Sequence, residues 1–198
     1  MELVVGTDST WSLRVWLCAK LSGIAINERV IDLRADDYKS EILKYSAAGL
    51  VPVLTNEGVV IHDSLAIVEY LNECSSGRLF PKSQEKRALA RSLCAEMHAG
   101  FAGLRARCPF SLSAVEALVE PDNALKIEIA RINAIFEQAT QPYMFDDMGA
   151  VDAFYAILAF RLNSYGVRFQ GMAGLYQQAL LDWNVLHDAL KQAGSWAQ

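Results

Sequence analysis

The chain has 198 residues, 53% of them hydrophobic and 21% charged, with a formal net charge of −5. That length suits one large domain or two small packed ones, and the composition excludes a disordered chain. Lys and Arg are scattered with no run of four, which speaks against a nucleic-acid partner, and the longest apolar run, "AFYAILAF", is far short of a membrane span. No basic flank and apolar core mark a signal peptide at the N-terminus. Cys18, Cys74, Cys94 and Cys108 show neither CxxC nor metal-ligand spacing, so free thiols in a reducing cytoplasm and no metal are expected.

The first 75 residues alternate strand and helix signals. "ELVV" reads as a strand, and Trp11 to Leu21 as a helix with Leu13, Trp16 and Leu17 at helical spacing. "ERVIDL" is strand-like, and "YKSEILKYSA" is a short helix closed by Gly49. "VPVLT" and "GVVIH" read as two strands joined at "NEG", a hairpin signal. "SLAIVEYLNEC" is an amphipathic helix. The order β-α-β-α-β-β-α predicts a small mixed sheet covered by helices. After "SSGRLFPKS" only helix patterns follow: one long helix from Ser83 to Arg107, then 122–139, 150–165 and 173–193. The predicted organisation is an α/β domain over 1–76, a linker over 77–84 and an all-helical domain over 85–198.

Three stretches carry candidate chemistry. In "GLVPVL", Pro52 stands where a strand is expected, so it belongs at an edge or a strand start. A cis Val51–Pro52 bond would turn the Val51 backbone outward to pair with an extended, peptide-like ligand. In "IHDSLAIVEYL", Asp63 and Ser64 open a helix. An N-cap accounts for that pair locally; a helix N-terminus with a hydroxyl also receives a carboxylate, and the adjacent Asp an ammonium, which suits an α-amino-acid group. In "GTDSTWSLR", Ser9, Thr10 and Ser12 crowd a strand-to-helix junction. One of these hydroxyls caps the helix, and one can donate to a thiolate. Lowering a thiol pKa by about two units from roughly 8.5 takes about 2.7 kcal/mol, within reach of one charge-assisted hydrogen bond plus a helix dipole. Cys18 lies too deep in the helix for a redox cysteine, and Cys94 with His98 falls short of a metal site.

Together, "STWSLR", "GLVPVL" and "HDSLAIVEYL", with "CAEMHAGFAGLR", "FDDMGAVDAFYA" and "RLNSYGV", resemble the soluble glutathione transferase family along nearly the whole chain. The opening run is most similar to serine-type bacterial and zeta-class members. The resemblance implies a thioredoxin-like N-terminal domain and an all-α C-terminal domain, with glutathione as co-substrate. It implies Ser9 as the residue that stabilises the glutathione thiolate, with Thr10 as the alternative and Trp11 beside it. Val51, before Pro52, would pair with the cysteinyl part, and Asp63 and Ser64 with the γ-glutamyl group. It also implies a homodimer, and an electrophile pocket between the domains. Cys94, His98, Phe101 and Arg105 fall on one stripe at i, i+4, i+7 and i+11. Cys94 is expected in the core, while His98, Phe101 and Arg105 would line the pocket.

The chain also departs from the family pattern. Leu50 replaces a polar residue that often touches glutathione, and Gly149 stands at a helix cap that usually has Ser or Thr, with Asp152 positioned to reach back. The slightly short chain suggests a trimmed loop in the helical domain. The function expected is attack of an activated glutathione thiol on a small electrophile, by conjugation or by cis–trans isomerisation as in maleylacetoacetate isomerase. The alternative is a weakly catalytic or non-catalytic binding protein on the same fold. A disulfide reductase is disfavoured, because no cysteine opens the first helix.

Overall fold

The computed structural model describes residues 1–198. It contains two compact units, one formed by Met1–Phe80 with Asp188–Gln198 and the other by Pro81–His187. The first holds β1 (Glu2–Gly6), α1 (Thr10–Ser22), β2 (Asn27–Ile31), α2 (Tyr38–Leu43), β3 (Val53–Asn56), β4 (Val59–His62) and α3 (Ser64–Cys74), in the order expected. The strands lie in the order β2-β1-β3-β4; β1 is parallel to β2 and antiparallel to β3, which is antiparallel to β4. Glu57 and Gly58, both at positive φ, make the predicted hairpin turn.

Strand alternation divides the core between the two faces of this sheet. Val4 and Val53 are cross-strand partners and pack with Ile31 and Ile42, so one face is closed by the short helix α2. Leu3 pairs with Leu54 on the opposite face. The helices α1 and α3 pack against each other, with Leu13, Trp16, Leu17, Ile67, Val68 and Leu71 buried. Every residue of α1 from Ser12 to Ala19 is buried, including polar ones. The short helix α2 ends at Leu43, earlier than the glycine signal at Gly49 suggests, because the backbone turns at Lys44 to Ser46 with bonds back to Glu41 and Ile42.

One carboxylate ties distant parts of this unit together. Glu28 on β2 accepts from Trp16 Nε1 at 2.6 Å through Oε1. Through Oε2 it accepts from Trp196 Nε1 at 2.7 Å and Gln192 Nε2 at 2.8 Å. Indole N–H groups in an apolar setting need an acceptor, and an ionised carboxylate is a strong one.

The second unit holds α4 (Gln84–Ala99), α5 (Ala102–Arg107), α6 (Asn123–Phe136), α7 (Ala150–Ser164) and α8 (Gly171–Leu181); α9 (Asn184–Trp196) begins there and its C-terminal part belongs to the first. The α7 helix is buried almost all round and packs on α4 and α8. Phe136 sits edge-on to Tyr155, Phe169 and Tyr176 at centroid distances of 5.0–5.9 Å. Arg161, buried in α7, donates to the Cys108 carbonyl at 2.8 Å and so closes the C-terminal end of α5.

Two long helices expected from periodicity are each broken. The pattern from Ser83 to Arg107 divides at Gly100, where a Cβ would lie 2.7 Å from the Glu96 carbonyl oxygen, and Phe101 follows at φ 55. Only glycine permits that approach, so the break is built into the sequence. The pattern over 173–193 divides at Asp182–Trp183, where the Trp183 N–H bonds back three residues to Leu180 and α9 restarts on the Trp183 carbonyl. Neither glycine nor proline marks that second break.

Replacing Glu28 by Ala is expected to lower unfolding free energy by about 2–3 kcal/mol, since three donors lose a charged acceptor. Glu28→Gln, which keeps one acceptor oxygen, should lose less. Urea unfolding followed by tryptophan fluorescence measures both; a Glu28→Ala variant as stable as the wild type would show that the carboxylate is not what holds the indoles.

Candidate functional site

The sheet register brings the three candidate stretches to one place. Val4 pairs with Val53, so the Gly6 end of β1 and the Val51–Pro52 segment leading into β3 lie at the same end of the sheet. Val53 pairs with His62, so Asp63, just past β4, lies at that end too. Gly6 and Val51 are close, since a Cβ on Gly6 would come 2.9 Å from Val51 Cγ2. The strands β1 and β4 run in the same direction, so the helices that follow them, α1 and α3, both start at this end of the sheet. Two helix N-termini therefore bring their positive dipole ends to one region.

Ser9 is the N-cap of α1, with extended backbone angles of φ −81 and ψ 101. Its Oγ accepts from the Ser12 N–H at 3.2 Å and from the Ser12 hydroxyl at 3.0 Å. Ser12 Oγ in turn accepts from the Gly6 N–H at 3.3 Å, and Ser12 has no exposed surface. Thr10, the first helical residue, accepts from Arg14 Nη1 at 3.3 Å. The Arg14 guanidinium is fully buried and lies 4.4 Å from the Trp11 ring centroid. Thr10 and Trp11 are thus both in contact with one buried positive charge. Ser9, Thr10 and Trp11 are all half-buried.

The capping of α1 falls to Ser9 itself rather than to neighbouring hydroxyls. The hydroxyl accepts in that role, which leaves its proton for another partner. Cys18, fully buried behind this junction, has its thiol pushed up by desolvation, against the nearby Arg14, and is inert as a nucleophile.

Val51 is half-buried and Pro52 buried, and the peptide between them is cis. Asp63 caps α3 by accepting from the Leu65 N–H at 2.9 Å and the Ala66 N–H at 3.3 Å. Its backbone, at φ 74 and ψ 127, is in a sparsely populated region that costs about 1–3 kcal/mol. Such strain persists where surrounding structure enforces it, and here the β4 register and the cap do so. Ser64 follows as the first residue of α3 and is only 2% exposed, so little of its hydroxyl is open to solvent. Leu50, in contrast, is 70% exposed.

The residues expected to line an electrophile pocket lie in the second unit and do not share one helix stripe. Cys94 is buried in α4 and His98 half-buried in its last turn. Phe101 is buried at the break, and Arg105 is half-buried on α5. The turn at Gly100 and Phe101 removes the i+7 and i+11 relationship. At the other departure, Gly149 caps α7 by its backbone alone: its N–H donates to Asp152 Oδ2 at 2.8 Å. Asp152 also accepts from the Met144 N–H at 2.8 Å and the Tyr176 hydroxyl at 2.7 Å through Oδ1. Burial pushes its carboxyl up, against these hydrogen bonds.

Ser12, grouped with Ser9 and Thr10 in the sequence as a junction hydroxyl, stands at the spacing of a capping partner for Ser9. One contributor has no mark in the sequence. Arg14 in a fully buried helix turn has no sequence signal, since charge ordinarily marks a solvated face.

Residues 8–74 match the model of the glutathione S-transferase N-terminal domain. A probable maleylacetoacetate isomerase of Caenorhabditis elegans is 36% identical over 86 residues, 43% of this chain and 40% of that protein. A glutathione S-transferase of Dianthus caryophyllus gives 36% over 45% of this chain and 41% of its own length. The chain therefore spans about two-fifths of the length of these first curated relatives. A stringent starvation protein A homolog of Haemophilus influenzae is 26% identical over 98% of this chain and 89% of that protein. Among solved structures, a glutathione transferase homolog from Burkholderia with bound glutathione gives a TM-score of 0.73 at 20% identity, over 98% of this chain and 97% of that one. A zeta-class maleyl pyruvate isomerase gives 0.73 at 18% identity, over 100% and 98%. No helix is long and apolar enough to cross a membrane.

Asp63→Ala removes a side-chain cap and is expected to cost about 1 kcal/mol, while Asp63→Asn keeps the acceptor and should cost a few tenths. Denaturant midpoints for the two variants check this; an Asn variant as unstable as the Ala variant would assign the loss to charge rather than to the cap.

Proposed function

Because the chain carries the N-terminal domain and the fold of the soluble glutathione transferase family, we propose that it binds glutathione and activates its thiol for attack on a small electrophile. The observation that carries this reading is the convergence of Ser9, Val51 and Asp63 with two helix N-termini at one end of the sheet. Glutathione is an extended peptide with a thiol at its centre and an α-amino-acid group at one end. The Val51 backbone pairs with the cysteinyl part. The N-terminus of α3, with Ser64, receives the γ-glutamyl carboxylate, and the Asp63 charge attracts the ammonium. The Ser9 hydroxyl donates to the thiolate, at a helix end that favours an anion by about 0.3–1 kcal/mol.

The chemistry then belongs to the thiolate, which attacks an electrophilic carbon. If the adduct stays, the product is a conjugate. If the thiolate leaves after rotation about the former double bond, the result is cis–trans isomerisation. The isomerase names among relatives that match less than half of the chain support testing the second outcome. Thr10 is the alternative donor, since it too accepts a hydrogen bond, from Arg14, and keeps its own proton. His98, Phe101 and Arg105 stay candidates for electrophile contacts. We include a homodimer in the proposal, on the family resemblance.

A second reading, a binding protein that does not turn glutathione over, is favoured by one observation. Among the curated relatives, a stringent starvation protein A homolog, whose name states no enzyme activity, matches nearly the whole chain, whereas the enzyme-named ones match less than half of it.

The test is the ultraviolet absorbance of the bound thiolate against pH. The wild-type protein should hold the thiol pKa about two units below its free value of roughly 8.5. Ser9→Ala should return it most of the way; the same result with Thr10→Val alone would move the donor to Thr10. Failure to bind a glutathione-affinity matrix, with no conjugate or isomer formed, would favour the second reading.

A further inference from the structure

We propose that Ser12 is the positioning residue that aims the Ser9 hydroxyl proton toward the ligand, an inference that rests on the reading of Ser9 as thiolate donor. A serine hydroxyl has one proton and two lone pairs. Ser9 Oγ accepts from the Ser12 N–H at 3.2 Å and from the Ser12 O–H at 3.0 Å, which fills both lone pairs. Its own proton has to point elsewhere. Ser12 Oγ accepts from the Gly6 N–H at 3.3 Å, and with no exposed surface Ser12 gives its proton to an acceptor within the protein, Ser9 Oγ.

The donors therefore run in one direction, from the Gly6 amide on β1 to Ser12 on α1 to Ser9 at the cap. Each link polarises the next, so the terminal hydroxyl is a better donor than an isolated serine. Gly6 ties the start of this chain to the β1–β3 register, because Val51 packs on its α-carbon. The donor is thus fixed relative to the Val51 backbone, and Ser12 acts without touching the ligand.

Capping and positioning are separable here. The cap needs only the Ser12 backbone N–H, which Ser12→Ala keeps. Without the Ser12 hydroxyl, Ser9 regains an open lone pair and a free rotor, and the Gly6 N–H loses its acceptor.

The experiment titrates the bound glutathione thiolate by ultraviolet absorbance in wild type, Ser9→Ala, Ser12→Ala and Ser12→Cys, with kcat/KM against pH alongside and thermal unfolding as a check on folding. Ser12→Cys is close in size and places a weak donor at the same position, so it reports even if Ser12→Ala folds poorly. Both Ser12 variants should raise the thiol pKa by about half to one unit, with KM for glutathione little changed. Ser12→Thr, which keeps the hydroxyl, should restore the wild-type profile. A lowered thiol pKa that Ser9→Ala abolishes and neither Ser12 variant moves would overturn the role of Ser12 and leave Ser9 in place. A uniform loss of activity at all pH values, with no shift in the profile, would reduce Ser12 to a structural residue. A wild-type protein that leaves the thiol pKa at its free value would overturn the Ser9 reading, and this proposal with it.

Discussion

The register between β1 and β3 is the constraint on which the candidate site depends. With Val4 opposite Val53 and Val53 opposite His62, Gly6, Val51, Pro52 and Asp63 all fall at one end of the sheet. A slip of one residue would turn Val4 and Val53 away from Ile31 and Ile42 and put apolar side chains on the wrong face. The hydrophobic pattern that stabilises the sheet therefore also places the turns that precede α1 and α3. No separate device is needed to bring two helix N-termini together. Gly6 has a place in this because a side chain there would strike Leu33 and Val51. The close approach it permits is what sets the start of α1 beside the Val51–Pro52 segment that leads into β3.

How much of this was legible varies with how local the cause is. The helix Ser64–Cys74 and the hairpin at Glu57–Gly58 were readable because cap, periodicity and turn chemistry lie within a few residues of each other. The end of α4 was readable in principle from Gly100, but an unbroken apolar period outweighed one glycine. The break at Trp183 offered no such residue, and periodicity continues through it. Long-range partners were out of reach. Nothing near Glu28 indicates that its carboxylate meets an indole 168 residues later, and nothing near Trp196 indicates its acceptor. Local sequence reports which groups need partners; the fold alone reports which partners they find.

The departures at Leu50 and Gly149 separate two kinds of change. At Gly149 the lost cap side chain matters little, since Asp152 returns to the Gly149 N–H and holds Met144 and Tyr176 as well. Glycine in place of serine at an N-cap costs only a few tenths of a kcal/mol. The same carboxylate is buried among donors, so its value lies in holding the start of α7 against neighbouring segments. Leu50 has no comparable compensation in view. It is exposed beside Val51, where the family resemblance puts a polar residue. The first change leaves the scaffold intact, and the second bears on the proposed ligand.

The Ser9 junction settles a conflict that its sequence poses. A serine at a helix start looks committed to capping, and a committed serine looks unable to donate. The hydrogen bonds show capping drawing on one part of the group: it uses lone pairs, supplied here with the Ser12 N–H and O–H, and leaves over the proton that the proposed donation would use. A cap of this kind is more than compatible with donation. By filling both lone pairs it removes the orientations in which the proton would be spent inward, and the helix that it starts adds its positive end to the same point. For a hydroxyl that must donate rather than accept, the N-cap is a favourable place to stand.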